Sequence, residues 1–259
     1  MLIDNRLKII LAIIVVAIIA IFNIDPIAQD PAYHNFADQR RLFNIANFFN
    51  VLSNIPFVII GVMGIKLIAS HKATGGLAEL QAMYLTFFIG VFLTGFGSAY
   101  YHYQPDNQTL LWDRLPMTIA FMALFSAVVG EYISAQLAWK LFFPLLTLGI
   151  ISVLYWHATE LSGHGDLRPY VLVQFLPIVL IPLILWLFES KLDNDKYIWG
   201  LIGVYAISKL MELFDAQFYS LIGSVSGHSL KHLTAAFGAL IFYWALRERR
   251  WSRKAPPEK

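Results

Sequence analysis

Five side chains are of the types, and at the spacings, that suit metal-assisted hydrolysis: Ser98, His102, Asp113, His228 and His232. Ser98 and His102 stand four apart in Gly97-Ser-Ala-Tyr-Tyr-His102. Four helical residues rise about 6 Å and return to nearly the same face, so both can look into one cavity. Gly227-His-Ser-Leu-Lys-His232 sets two further histidines four apart. Three imidazoles from two helices make a tripod with an open position for water, the arrangement of a catalytic zinc site. Zinc lowers the pKa of its water towards about 7 and polarises a carbonyl. Asp113 can then take the water's proton or orient a ligating histidine, and Ser98 can donate to a developing oxyanion. Each piece alone has a plainer account. A His-x-x-x-His pair suits any amphipathic interfacial helix, and a lone serine often bonds a helix carbonyl. An aspartate at a helix start is favoured by the dipole and here could pair with Arg114. Convergence of all five at one depth is what favours the metal.

The elements that must position these groups are membrane helices. Of the 259 residues, 58% are hydrophobic, 15% aromatic and only 14% charged. Soluble domains carry about a quarter charged residues. The mean hydropathy is +0.61. Apolar stretches able to cross a bilayer recur at 7–24, 42–69, 80–102, 109–131, 138–156, 168–189, 196–216 and 227–246. Each must be helical, because hydrocarbon leaves no partner for an open backbone. The expectation is an all-α polytopic bundle with short connections. The first stretch reads as a retained anchor rather than a signal peptide, since its apolar run of about 18 residues is long and no A-x-A site follows. Without cysteine, any zinc must be held by histidine, carboxylate or water. A net charge of +2 gives no argument for nucleic acid.

Basic residues orient the bundle. With the N-terminus inside, thirteen lysines and arginines fall on inner segments, Arg253, Lys254 and Lys259 among them, against Arg40, Arg41, Arg114 and Arg168 outside. Both termini are therefore expected in the cytoplasm. The helix ends bearing His102, Asp113, His228 and His232 then share the outer face, an agreement that the charge count did not require.

Ser-x-x-x-His in one helix, Asp in the next and His-x-x-x-His in the last is similar to the pattern of the CREST superfamily. Ile45-Ala-Asn-Phe-Phe-Asn-Val-Leu-Ser-Asn54 and the stretch from Gly97 to Asp113 resemble the alkaline ceramidases within it. That resemblance implies a seven-helix core over 33–246; the residues themselves add an anchor helix and connection before it (1–32) and a basic tail after it (247–259) for anionic inner-leaflet lipid. It implies zinc on His102, His228 and His232, with Ser98 and Asp113 beside the bound water, and hydrolysis of ceramide to a sphingoid base and fatty acid. One departure bears on calcium. Asp38 is the one carboxylate in Tyr33–Arg41, and Asn47 stands where the family has Glu. Calcium prefers several carboxylates, so calcium regulation is expected to be weak or absent.

Lys209, Glu212 and Asp215 share a helix face and read as an intramembrane ion pair, or as the charged pathway of a transporter. Asn44, Asn47, Asn50 and Asn54 read as interhelical hydrogen-bonding residues on the second helix. His157 and His164 lie in an outer loop whose Arg168 would be available to a lipid headgroup. Rival functions are a receptor or sensor on the same fold, a transporter, and a hydrolase of another N-acyl or ester lipid. Short termini without sorting signals suggest a bacterial inner membrane.

Overall fold

A computed structural model describes residues 4–252, and their regular structure is helical throughout. The helices are α1 (Asn5–Phe22), α2 (Phe48–Leu52), α3 (Ile55–Ala69), α4 (Gln81–Tyr103), α5 (Asn107–Tyr132), α6 (Ala135–Leu161), α7 (Arg168–Leu187), α8 (Lys196–Leu213), α9 (Asp215–Ile222) and α10 (Gly227–Glu248). Among the described residues, six spans are long and apolar enough to cross a membrane: α1, α2 with α3, α4, α5, α6 and α7. The bent pair α8–α9 makes up to seven. The last stretch is the 22-residue α10, whose opening histidines and Lys231 dilute its apolarity. Large apolar side chains such as Phe143, Trp186 and Leu213 point outward, as the lipid-facing side of a bundle requires.

Two of the expected spans are not simple helices. The stretch 42–69 is helical only from Phe48, because Phe43, Asn44 and Asn47 take left-handed backbone conformations. It then breaks at Ser53–Asn54, where Pro56 supplies no N–H for the Leu52 carbonyl. The stretch 196–216 ends at Leu213 and turns by 80° into α9.

The middle of the bundle is α5, with 78% of its span buried against 6% for α1. It packs between α4, α6 and α7, while α10 packs on α8 and α3. Lipid tails are as apolar as the core, so helix association depends on close contact and hydrogen bonds rather than on burial from water. Gly97 shows this closeness: a Cβ there would lie 2.0 Å from the Trp112 carbonyl oxygen. At the start of α5, Asp106 accepts from the Thr109 N–H (2.6 Å) and the Thr109 hydroxyl returns to the Asp106 N–H (3.1 Å). This capping box fixes the tight turn from α4 and hence the register of α5 on it.

At the opposite end, Arg249 forms a two-pronged pair with Glu131 (2.8 and 2.7 Å), and the Tyr84 hydroxyl donates to the same carboxylate (2.7 Å). All three side chains are buried. Within the expected basic tail from 247, Arg249 is thus held inward. Helix α10 runs to Glu248, and Arg249 is part of the bundle rather than free for lipid. Arg253, Lys254 and Lys259 lie outside the described residues.

Candidate metal centre

His102, at the end of α4, meets His228 and His232, on the first two turns of α10, in a fully buried cluster. The His102 Nε2 lies 3.2 Å from the Nε2 of His232 and 3.3 Å from that of His228. A tetrahedral ion with bonds of about 2.05 Å separates its ligand atoms by about 3.3 Å. Two of the three nitrogen–nitrogen edges therefore match a tetrahedral zinc face, and the ligand atoms all lie within 4.8 Å of one another.

The protonation pattern agrees with that use. Ser53 Oγ donates to the Asn50 carbonyl (3.0 Å), which leaves it to accept from His232 Nδ1 (2.8 Å). The proton of His232 is thereby held on Nδ1 and its Nε2 lone pair is turned into the cluster. The Nδ1 of His102 is buried without a partner among the described residues. Lone pairs converging on one point repel, and a cation between them removes the conflict. The donor set fits a divalent ion that accepts imidazole, zinc first among them.

Local breaks in the helices hold the cluster together. Asp215 follows the sharp turn between α8 and α9, accepting from the His228 N–H (2.7 Å) with one oxygen and from the Ala37 N–H (2.9 Å) with the other. Gly227 lets α10 start against the end of α8, since a Cβ there would lie 2.3 Å from the Met211 carbonyl oxygen. Asn47 donates to the His102 carbonyl (2.8 Å), and Asn50 accepts from the Ser229 hydroxyl (2.7 Å). These two asparagines join α2 and its approach to α4 and α10. The other two differ from the sequence reading: Asn44 is exposed and accepts from Arg41, and Asn54 bonds within its own segment. Phe36 closes the cluster from above, its ring 4.6 Å from the rings of both His102 and His228.

Ser98 and Asp113 lie close to each other across the α4–α5 contact at Gly97. Asp113 is the seventh residue of α5, two turns inside it. Its neighbour Arg114 bonds Gln29 instead (2.6 Å) and has no carboxylate within 4.0 Å among the described residues. The plainer account of Asp113, a helix-start residue paired with Arg114, does not fit.

Ser98, Asp113 and His232 line the polar end of a cavity of about 410 Å³. Along α5 its lining continues to Leu124, eleven residues or about 16 Å below Asp113. That lower part is apolar, with Phe87, Val91, Leu124 and Ile181 on its walls. An extended acyl chain fits such a space, with its polar end beside the histidines.

Three further expectations change. Glu212 pairs with Lys209 (2.6 Å) as read, and also with Lys231 of α10, which the reading had not joined to it. Asp215 is not part of that group. Arg168 is engaged by both Asp166 oxygens (2.9 Å) and by the Ile24 carbonyl (2.8 Å), so it is not free for a headgroup. His157 lies within α6, and neither it nor His164 joins a metal-competent group among the described residues. The Asp38 carboxyl, outside the membrane, is pushed up by burial, but donors from the Arg40 side chain and backbone outweigh this and hold it below its ordinary range. Sequence reasoning had assigned no role to Ser53, Phe36 or Lys231, and had placed Asp215 in the ion-pair group. The one available signal was Gly227, a glycine opening a helix just before two histidines.

A helical membrane bundle carrying three converging imidazoles above an acyl-sized cavity defines a membrane-embedded protein with a metal-competent centre. The Ceramidase family model matches residues 40–256, and the chain belongs to that family. The family is one of hydrolases acting on lipid amides, in agreement with the alkaline ceramidase resemblance. Helix α1 precedes the matched residues. No curated protein matches the chain.

Proposed function

We propose that this protein is a zinc-dependent amidase that hydrolyses ceramide, or a closely related N-acyl lipid, to a fatty acid and an amine. The observation that carries the reading is the His102 Nε2 at 3.2 and 3.3 Å from those of His232 and His228, with His232 at the polar end of an acyl-sized cavity. His102, His228 and His232 would hold the ion. Zinc supplies a Lewis acid for the amide carbonyl and an acidified water. Asp113 takes the proton of the attacking water and returns it to the departing nitrogen. Ser98 orients that carboxylate and can turn its hydroxyl to the carbonyl oxygen as charge develops there. Phe36 excludes bulk water from above, which strengthens each of these interactions.

In this reading 33–246 is the catalytic core and 1–32 an accessory anchor. Both termini are cytoplasmic, with the metal centre towards the outer face of a bacterial inner membrane, on the strength of the lysine and arginine distribution. Arg40 occupies the Asp38 carboxylate, which supports activity without calcium.

Purified protein is expected to carry about one zinc per chain, and His228→Ala to lose both zinc and ceramide hydrolysis. Hydrolysis undiminished in that variant, with zinc stripped, overturns the proposal. A receptor on the same fold would bind lipid without releasing fatty acid from labelled ceramide.

A further inference from the structure

Arg114 is a buried cation with too few partners. Its side chain is 6% exposed and lines the polar end of the cavity, one residue beyond Asp113. One terminal nitrogen donates to Gln29 (2.6 Å), while the other, Nη1, is buried without a hydrogen-bond partner among the described residues. The guanidinium carbon sits over the rings of Trp156 (4.2 Å) and Tyr170 (4.8 Å). Those faces hold its plane but leave the charge and one edge of the fork unanswered. Glu160, reached through Gln29, is itself engaged by the Gln29 N–H (2.6 Å) and the Trp156 indole (3.2 Å).

The other charges on the lining do not neutralise it. Glu212 is shared between Lys209 (2.6 Å) and Lys231 (2.5 Å), so that group is itself net positive. Asp113 lies beside Ser98. Asp30, at the exposed mouth, caps the Ala32 N–H (2.8 Å). Arg114 and the half-buried Lys209 and Lys231 thus face Asp113 and the half-buried Glu212 at the end of the cavity where a lipid's polar group must lie. An unpaired buried guanidinium is costly, and a fork with a free edge is shaped for a carboxylate.

Resting on the hydrolase reading above, we propose that Arg114 is a specificity-determining residue that binds an anionic headgroup, so that the preferred substrates are N-acyl amino acids. The carboxylate of such a lipid is two bonds from the amide nitrogen, while Arg114 is one residue from Asp113. The acyl chain takes the apolar part of the cavity, the amide lies beside the histidines, and the carboxylate meets the free edge of Arg114. Hydrolysis breaks the C–N bond, water's oxygen goes to the acyl carbon, and a proton goes to the amine of the released amino acid.

The test uses intact protein in detergent with N-palmitoylglycine and N-palmitoylethanolamine, which share an acyl chain and differ in carboxylate against hydroxymethyl. Wild type is expected to favour the glycine conjugate by about 10- to 100-fold in kcat/KM, mainly through KM, the worth of a charge-assisted hydrogen bond. Arg114→Gln is expected to bring that ratio close to one, and Arg114→Lys to restore part of it, both with zinc content retained. A wild-type ratio at or below one, or a ratio that survives Arg114→Gln, overturns the proposal. Ceramide cleaved without any preference for the anion removes this inference and leaves the hydrolase reading standing. Should neither lipid nor ceramide be cleaved, the hydrolase reading falls, and the ratio of equilibrium binding of the two radiolabelled lipids decides the role of Arg114 in the same way.

Discussion

A histidine ligand needs its second nitrogen fixed as much as its first. His232 has this from Ser53, whose own proton is committed to the Asn50 carbonyl. Its proton therefore stays on Nδ1, and its lone pair stays aimed at His102 and His228. Removing such a partner from a metal-bound histidine typically costs 10- to 100-fold in metal affinity. Ser53→Ala is expected to weaken zinc binding by about that factor, with activity recovered at excess zinc. Competition against a chelator of known affinity measures this, and an unchanged affinity would reduce Ser53 to a packing residue.

The centre is assembled where helices are interrupted. The break between α2 and α3 frees the Asn50 carbonyl for Ser53, and the turn from α8 to α9 aims Asp215 at the start of α10. The α4–α5 pair contributes through contact instead, since Gly97 against the Trp112 carbonyl brings Ser98 to Asp113. A methyl at Gly97 would fall 2.0 Å from that oxygen, so the helices must separate. Gly97→Ala is expected to cost about 1–3 kcal/mol of stability, as overpacking does, and to lower kcat more than zinc content. Thermal unfolding and zinc analysis of the same preparation would reveal this. A variant with normal kcat would show that the Ser98–Asp113 contact is not needed for turnover.

Across the whole molecule, polar groups sit in two layers. One is the metal centre with its cavity mouth, and the other is the Glu131–Arg249–Tyr84 group at the opposite end. The second layer ties the last helix to the central one, so it governs whether α10 stays docked with its two histidines. Removing one member of a buried pair leaves the other charge uncompensated, at about 3–5 kcal/mol. Arg249→Met is expected to destabilise the fold by that amount without altering the histidine cluster in the molecules that remain folded. Denaturation monitored together with zinc release would show it, and an unchanged midpoint would mean that Glu131 finds another partner.

Much of this was legible in the chain because hydrocarbon imposes a simple rule: a span must be apolar and helical, so each polar residue inside one stands out. The helical class, the approximate spans and the three histidines were readable for that reason, since four-residue spacing survives any packing of the helix. What the spacing could not carry was long-range proximity. Ser53 and His232 are 179 residues apart, Asp215 reaches both Ala37 and His228, and Arg249 turns inward to Glu131 rather than out to lipid. The broken helices were also unreadable, because Phe43, Asn44 and Asn47 adopt left-handed backbone that no periodicity announces. Helix periodicity is local and one-dimensional, whereas the contacts that orient the ligands and leave Arg114 unpaired depend on how separate helices pack. Only the tertiary structure decided those.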